Sequence, residues 1–419
     1  MTRIPSDTDV DASGEAASAL HRRTMVLDGH LDIDPGFGVE GEGSDGTGQF
    51  DLAQARRGGL SGACVCLSAG LVRSTAADVA SGAEAQERRF EALAGVLRRR
   101  KEEVALATSP SSFRDIVDGG RLAIVLALQN AAPFDGRIDS IERWHGRGVR
   151  MMALTFIGNN AYADSSRPYP FAGAHDNGGL SPVGRDAVRL MNELGVIVDV
   201  SQLSDAALHD VLSTTRAPVI ASHSAPRGFL ATRRNLADDD MRAIAGAGGV
   251  VNVVGFANYL RPTGADVQEQ LRAVWTRYGL AECRTTDEAI LHPDTANWKE
   301  AKFGRFLHDF HDVLDLSNPH ASVDDLAAAV AYAVDLIGID HVGLSSDFNH
   351  GGGLVGWLDA GETPNVTAAL IRRGFGEEEI AKLWAGNFLR LWSDLPQGRS
   401  GDAHRSDAET IDARSPIHE

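Results

Sequence analysis

The sequence predicts an α/β fold, a (β/α)8 TIM-type barrel with a metal site at the C-terminal face of its strands. Eight short apolar runs recur along the 419 residues, and helical periodicity follows most of them. The runs are continuous rather than alternating, which is typical of strands buried on both faces of a parallel sheet. Several runs end in metal-binding types of side chain, at the edge where barrel enzymes place their active sites.

The predicted strands are spaced so that a helix fits between most consecutive pairs. They cover residues 25–29, 62–68, 123–128, 149–156, 196–200, 218–222, 249–255 and 341–346. Amphipathic helices are predicted at 185–194 and 323–337, and the second begins after Ser322, a favourable N-cap residue. A doubly wound open sheet is the alternative fold, but no G-x-G-x-x-G motif follows the first strand.

The chain is expected to form a single domain over residues 19–396, with disordered segments at 1–18 and 397–419. Both flanking segments are rich in small and polar residues, which bury little apolar surface. An insertion at about 257–322 contains several aromatic residues and follows a late strand. Long loops at that position in a barrel commonly cover the C-terminal face, so the insertion is predicted to border the substrate site.

The overall charge and composition restrict the partners that the protein can have. The formal net charge of −18 argues against nucleic acid and anionic membrane surfaces as partners. The three cysteines are too few for a disulfide framework, and Cys64 and Cys66 are predicted to be small buried residues. Neither an apolar stretch of about 18 residues nor a signal-peptide pattern occurs, so a cytoplasmic location is expected.

Residues of the types that bind metal ions stand at the ends of the predicted strands. His30 and Asp32 end the first strand, and their spacing of two places both side chains on one face. An imidazole and a carboxylate side by side can hold one divalent cation. Further candidate ligands end the third, fifth, sixth and eighth strands: Gln129, Gln202, His223 and Asp347. Because barrel strands end at one mouth, these side chains are expected to meet there.

Several long stretches of the chain match motifs of one known family. They are Asp28-Gly29-His30-Leu31-Asp32, 179–184, 217–224, Arg234-Asn235 and 338–348. Together they resemble the membrane (renal) dipeptidase family, a zinc metallopeptidase branch of the amidohydrolase superfamily. The resemblance implies hydrolysis of small dipeptides through a metal-bound hydroxide, with Asp347 as the catalytic residue that transfers protons. It also implies that Arg234 binds the substrate carboxylate and that the protein forms a homodimer.

Three positions depart from the pattern of that family. Gln129 stands where the family has a glutamate that bridges two metal ions, and Gln202 stands where it has a histidine ligand. Phe156 replaces a histidine that polarises the substrate. A glutamine offers one neutral carbonyl oxygen, which is a weaker ligand for zinc than a carboxylate. One zinc ion at the ligands of the first strand is therefore expected, with two zinc ions as the alternative.

The residues after the fourth predicted strand are expected to contact the substrate. Phe156 would shape an apolar wall and Asn159 would supply an amide, opposite the carboxylate-binding Arg234. Two other functions stay open: hydrolysis of another small amide or a lactam, and ligand binding by a catalytically silent barrel. Metal content separates the silent barrel from the two hydrolases.

Overall fold

A computed structural model describes residues 7–33, 37, 48–168, 175–298, 300–314 and 320–396. Its strands within those residues are β1 Leu27–Asp32, β2 Gly62–Ser68, β3 Val104–Leu106, β4 Leu122–Gln129, β5 Val149–Ala153, β6 Ile197–Asp199, β7 Ile220–Ser224, β8 Val250–Val254 and β9 Val342–Ser345. Every residue of β1, β2 and β4 is buried, as expected of strands that are covered on both faces.

The strands form a parallel sheet that closes almost completely into a barrel. Their order is β1-β2-β4-β5-β6-β7-β8-β9, with every neighbouring pair parallel. Backbone hydrogen bonds connect the two ends of this order: the Asp347 N–H donates to the His30 carbonyl, and the Asp32 N–H donates to the Phe348 carbonyl. The predicted (β/α)8 barrel is confirmed, and the alternative of an open doubly wound sheet is wrong.

One strand was not predicted. β3 is three residues long and pairs with the first three residues of β4, outside the main strand order. A run of that length is too short to show a periodicity. The first strand also runs further than predicted, because β1 continues to Asp32 and so contains both proposed ligands.

Helices flank the strands on the outside of the barrel. Within the described residues they are α1 Asp7–Arg23, α2 Leu52–Arg57, α3 Ala76–Arg99, α4 Pro110–Asp118, α5 Asp139–Gly146, α6 Pro182–Leu194, α7 Asp205–Thr214, α8 Asp238–Gly246, α9 Ala257–Leu260, α10 Ala265–Arg277, α11 Thr286–Ile290, α12 Glu300–Leu314, α13 Val323–Ile337, α14 Pro364–Arg373, α15 Glu377–Ala381 and α16 Asn387–Ser393. Both helices predicted from apolar periodicity are present, as α6 and α13. A capping box between Ser322 and Asp325 begins α13.

The N-terminal segment differs from the expectation of disorder over residues 1–18. Helix α1 begins at Asp7 and continues through that segment. Ala17 and Leu20 are buried, so tertiary packing stabilises a helix whose composition alone suggests disorder. Residues 1–6 and the expected disordered tail at 397–419 lie outside the described residues.

The insertion at 257–322 contains helices α9 to α12 and a small hydrophobic core of its own. Leu271, Trp275 and Phe306 are buried in this core. The core packs against Leu71 and Ile157, which follow β2 and β5 at the C-terminal face of the barrel. The insertion therefore covers the mouth of the barrel, as the sequence predicts. Among the described helices, none combines the length and the apolar character that crossing a lipid bilayer requires.

Candidate active site

Residues at the ends of distant strands converge at the C-terminal face of the barrel. His30 and Asp32 belong to β1, His223 belongs to β7, and Asp347 follows β9. Ligand atoms of His30, His223 and Asp347 all lie within 4.8 Å of one another, and the three side chains are buried. A group of this kind can hold a divalent cation. Cys66 of β2 forms a second such group with His30 and Asp32, and burial raises the pKa of its thiol.

A local irregularity in β1 precedes the two ligands. The pairing register with β2 shifts between Asp28 and Leu31, so that two residues of β1 stand opposite one residue of β2. At Gly29, a Cβ atom would lie 2.7 Å from the carbonyl oxygen of Leu344, so this close approach requires glycine. The carboxylate of Asp28 accepts a hydrogen bond of 3.2 Å from the backbone N–H of His30 and so supports the bulge.

His30, Asp32 and Asp347 form what we call the cation side of the site. The Nε2 of His30 lies 3.7 Å from the Oδ2 of Asp32 and 3.7 Å from the Oδ1 of Asp347, beyond hydrogen-bond distance. Within the described residues, neither this Nε2 nor the Oδ1 of Asp32 has a hydrogen-bond partner. Buried polar atoms are nearly always paired in folded proteins. The unpaired imidazole nitrogen and carboxylate oxygens therefore fit a divalent cation.

Asp347 is held in place by an unusual backbone conformation. Its φ of 58° lies in the left-handed region, which non-glycine residues seldom adopt outside functional sites. Its N–H donates to the His30 carbonyl, and its carbonyl accepts the Gly352 N–H at 2.9 Å. Burial raises the pKa of the Asp347 carboxyl to about 6, although His30 and His350 act in the opposite direction.

A serine between the two histidines determines which ring nitrogens carry protons. Ser222 donates its hydroxyl proton to Asp199, at 2.5 Å. Its oxygen can then accept from the Nδ1 of His223 at 2.7 Å and from the Nδ1 of His30 at 3.2 Å. Both Nδ1 atoms are therefore protonated, and in the neutral rings both Nε2 atoms present lone pairs toward the site. This is the tautomer that binds metal ions.

Gln129, Gln202 and His223 form what we call the amide side. The Nε2 of His223 receives amide N–H groups from Gln129 at 3.1 Å and from Gln202 at 2.9 Å. Each amide has a fixed orientation because its oxygen has a separate donor: Ser68 donates to Gln129 at 3.2 Å, and Arg167 donates to Gln202 at 3.3 Å.

This geometry bears on the prediction that Gln129 and Gln202 are metal ligands, which stays a prediction. Each glutamine directs its NH2 group, and not its carbonyl oxygen, toward the site. An NH2 group cannot coordinate a cation. The lone pair of His223, which the sequence analysis also assigned to a metal, is already used by the two amides. As arranged, the amides occupy the Nε2 of His223, whereas the ligand atoms of His30 and Asp347, the other two members of that group, keep their places for a cation.

The electrostatic environment separates the two sides further. Burial acts to lower the pKa of His30, but Asp32 and Asp347 outweigh burial and raise it. Burial acts to raise the pKa of Asp32, but His350 and His30 outweigh burial and hold it well below its usual range. Burial and the neighbouring His30 lower the pKa of His223 far below its ordinary value. The carboxylates thus concentrate negative charge on the cation side and leave His223 a neutral acceptor.

His350 is a site residue that the sequence analysis missed. Its Nδ1 lies 3.0 Å from the Oδ2 of Asp32, and its ring meets the Phe156 ring edge to face at 5.0 Å between centroids. Burial acts to lower its pKa, but Asp32 and Asp347 outweigh burial and raise the pKa to about 9. The signal in the sequence was its position only three residues after Asp347, in the loop that follows the last strand.

A cavity of about 1300 Å³ opens from this site toward the insertion. Arg234 lines it and is buried; its guanidinium donates to the Ser224 hydroxyl at 3.0 Å and to the His223 carbonyl at 2.6 Å. Its Nε has no partner within the described residues, and the guanidinium lies 5.6 Å from the Tyr259 ring centroid. Arg234 therefore keeps N–H groups for an anionic ligand.

The two residues predicted after the fourth strand have different positions. Phe156 lines the cavity, as predicted, and lies beneath Arg167 at 5.6 Å. Asn159 is not among the residues that line this cavity, and its contact with the substrate stays a prediction. Its NH2 group donates to the His175 carbonyl at 2.8 Å, and its oxygen accepts the Ser165 N–H at 2.9 Å. Both ends of the amide thus stabilise their own loop.

Other histidines of the chain lie outside the group of site residues described above. His21 is buried. Its Nδ1 accepts the Thr367 hydroxyl at 2.7 Å, and its Nε2 donates to the Gly58 carbonyl at 2.8 Å. His21 is therefore a structural residue, with both ring nitrogens used. The side chains of two others, His308 and His311, lie outside the described residues.

The chain is similar to known proteins over most of its length. The family model described as membrane dipeptidase (peptidase family M19) matches residues 14–404. Dipeptidase aclJ of Aspergillus oryzae is 28% identical over 277 residues, which are 66% of this chain and 52% of that protein. Dipeptidase 3 of Rattus norvegicus is 24% identical over 310 residues, which are 74% of this chain and 52% of that protein. The chain thus spans about half the length of these curated relatives.

Two solved structures extend the comparison. The probable dipeptidase PvdM from Pseudomonas aeruginosa is 41% identical, with a TM-score of 0.86 over 92% of this chain and 98% of that chain. A metallopeptidase from Rhodobacter sphaeroides, liganded with a phosphinate mimic of the dipeptide L-Ala-D-Ala, is 18% identical. Its TM-score is 0.65 over 89% of this chain and 99% of that chain, a likeness that shows the fold alone.

Proposed function

Because this chain belongs to the membrane dipeptidase family, peptidase family M19, we propose that it is a metal-dependent dipeptidase with one divalent cation per chain. One observation carries the proposal: the buried Nε2 of His30 and Oδ1 of Asp32 lack partners, whereas the Nε2 of His223 receives two amides. His30, Asp32 and Asp347 would hold the cation, and zinc suits this donor set.

The cation supplies Lewis-acid activation of water and of the substrate carbonyl when it is bound. The chain's own residues orient the ligands of the cation. Ser222, which donates to Asp199, contacts the Nδ1 of His30 and so directs the Nε2 atom of that ring at the site. His350 contacts Asp32 and so restrains the orientation of its carboxylate.

Arg234 binds the C-terminal carboxylate of the dipeptide in this proposal. A guanidinium presents its N–H groups in a planar fork that matches a carboxylate. The bonds to Ser224 and to the His223 carbonyl fix the plane of that fork. Arg234 contacts His223, and the His223 ring stacks on the His30 ring at 3.9 Å between centroids, so the peptide bond of a bound dipeptide would lie near the cation side.

Asp347 transfers the proton during hydrolysis. It takes a proton from the attacking water as the new C–O bond forms, and it gives that proton to the amine nitrogen as the C–N bond breaks. Its position beside His30, at the end of the last strand, places the carboxylate where the attacking water and the leaving amine would lie.

The test combines metal analysis with a substrate panel. We expect purified protein to contain about one zinc per chain and to hydrolyse part of a broad dipeptide panel, and the Asp347→Asn variant to lose that activity. Stoichiometric zinc without any dipeptide hydrolysis would overturn the proposal. The same panel should contain small lactams and N-acyl amides, since the apolar Phe156 in the cavity wall favours them as second candidates. A homodimer and a cytoplasmic location remain predictions from the sequence.

A further inference from the structure

The cavity over the site is not confined to the barrel. From Asp347 and His223 it continues under the insertion at 257–322, without a break. There the buried part of its wall consists of apolar and aromatic side chains: Leu271, Trp275, Cys283, Ile290, Phe303 and Phe310. Exposed polar and charged side chains, among them Arg261, Glu282, Arg284 and Glu288, form its rim. A single space thus connects the proposed reaction centre with an apolar chamber, which we call the lid chamber.

The size of the cavity exceeds what a dipeptide needs. Its volume of about 1300 Å³ lies above the roughly 300–1,000 Å³ of ordinary small-molecule pockets. A dipeptide held by Arg234 and the cation side would occupy the floor and leave the lid chamber unfilled. The chamber therefore accommodates a part of the substrate that lies beyond the two residues at the floor.

The wall of the lid chamber is formed by the insertion's own packing. Phe306 is completely buried at the centre of the insertion core, with ring centroids of Tyr278, Trp298 and Phe303 at 5.3, 5.5 and 6.1 Å. This aromatic cluster supports the neighbouring side chains that face the cavity. The chamber is thus preformed, which reduces the ordering cost of binding.

Buried charged groups are distributed unevenly along the cavity, whereas the charged side chains of the insertion lie at its exposed rim. Arg234 and Arg167 lie at the floor, close to His223 and Gln202. Trp275, in the wall of the lid chamber, has an indole N–H without a partner within the described residues. The cavity therefore fits an elongated ligand with an anionic end at the floor and an apolar end under the insertion.

We infer that the substrate is an amide of an amino acid whose acyl side carries a bulky apolar group, and that this group occupies the lid chamber. The inference rests on the proposed hydrolytic function and specifies its substrate class. A linear alkyl chain and an aromatic ring share the required chemistry, and the test distinguishes between them.

The experiment measures binding along a matched ligand series. The ligands are non-hydrolysable ketomethylene analogues of N-acyl-alanine with acetyl, butanoyl, hexanoyl and phenylpropanoyl groups. Affinity for the zinc-loaded full chain is measured by calorimetry. Burial of each added methylene should tighten binding roughly fourfold, since a buried CH2 contributes about 0.8 kcal/mol. If affinity increases only along the alkyl ligands or only for the phenylpropanoyl ligand, that result identifies the group that the chamber prefers. Equal affinity across the whole series overturns the inference.

A variant that fills the chamber gives an independent check. Leu291→Trp adds bulk at a partly exposed position of the chamber wall, and Val355→Trp is the matched control at an exposed position that does not line the cavity. We expect Leu291→Trp to reduce the hexanoyl-to-acetyl affinity ratio at least tenfold and Val355→Trp to preserve it. Equal ratios in the two variants overturn the inference. The ligand series on the unaltered chain stands by itself if Leu291→Trp fails to fold.

Hydrolysis of the corresponding amides and of plain dipeptides separates this inference from the proposed function. Chain-length-dependent binding without hydrolysis of any amide supports the lid chamber and overturns the dipeptidase proposal. Hydrolysis of dipeptides with flat binding across the series supports the proposed function and overturns the lid chamber.

Discussion

The cation side and the amide side of the site face each other but have opposite hydrogen-bonding states. On the cation side, His30 and Asp32 keep atoms without partners. On the amide side, the Nε2 of His223 accepts two amide N–H groups. The two histidine rings are stacked with their centroids 3.9 Å apart, and both Nδ1 atoms face Ser222.

Under the proposed function, this difference is the reason why the amide side would hold no cation. A glutamine has nearly the shape of a glutamate, but it replaces an anionic acceptor by a group that also donates. The donated N–H groups satisfy the histidine lone pair that a cation would otherwise use. The buried polar atoms of the amide side are therefore hydrogen-bonded to one another. On the cation side, buried polar atoms lack hydrogen bonds, and a bound cation would satisfy them.

The largest effect is expected when the cation side is broken. Asp32→Asn removes an anionic ligand, so we expect the zinc content to fall from about one per chain to none. We also expect hydrolysis to fall more than about 100-fold, because loss of a ligand should exceed the 10- to 100-fold effect of losing a residue that only orients a ligand. Gln202→Ala is the matched control on the amide side and should retain its zinc. The zinc content of the Asp32→Asn and Gln202→Ala variants is measured by metal analysis. Equal loss of zinc from both variants would contradict the distinction between the cation side and the amide side.

Conversion of the amide side should produce the next largest effect. Gln129→Glu combined with Gln202→His supplies a carboxylate and an imidazole and frees the Nε2 of His223. We expect zinc content to rise from about one to about two per chain and dipeptide hydrolysis to increase. Gln129→Asn combined with Gln202→Asn keeps amides and should stay at one. If the converted protein still binds one zinc, the amides are not what prevents a second cation from binding.

A smaller effect is expected from the residue behind Asp32. His350→Gln removes the imidazole at 3.0 Å from the Asp32 carboxylate, so zinc affinity should fall about tenfold, at the low end of the range for such residues. Phe156→Leu changes the other neighbour of the His350 ring and leaves the contact with Asp32 in place. Competition with a zinc chelator measures both affinities; an unchanged affinity in His350→Gln would exclude the orienting role.

The smallest effect concerns His21, whose ring nitrogens both have protein partners. Burial lowers its pKa in the folded protein, although the Gly58 hydrogen bond opposes this. Below the ordinary pKa of about 6.5, the unfolded chain therefore takes up a proton that the folded chain does not. The free energy of unfolding should decrease as the pH falls below about 6.5, by at most about 1.4 kcal/mol per pH unit for this one group.

Urea unfolding of metal-free protein at pH 7 and pH 5.5 tests this prediction. His21→Gln should show a weaker pH dependence than the unaltered chain, and other titrating groups cancel in that comparison. His145, for example, has a pKa that burial and Arg150 lower to about 4, and it contributes equally to both proteins. Identical pH dependence in the two proteins would show that His21 titrates normally.

Several features of the site were accessible from the sequence because they follow local rules. Apolar runs and the spacing of His30 and Asp32 predicted which residues meet at the barrel mouth, since all parallel strands of a barrel end there. The sequence also showed Gln129 and Gln202 at positions where the family has metal ligands. The sequence did not show that the Asn159 amide bonds its own loop, because a polar residue after a strand can bond its loop as readily as a substrate.

The sequence alone thus determined the barrel, its family and the positions at the strand ends, because strand and helix periodicities are properties of short stretches. Only the tertiary structure decided which way the two glutamine amides turn, which histidine nitrogens are free, and that His350 joins the site. Those outcomes depend on donors and acceptors such as Ser68, Arg167 and Ser222, which come from different strands and loops and meet only after the barrel has closed. No pattern within a single strand contains that information.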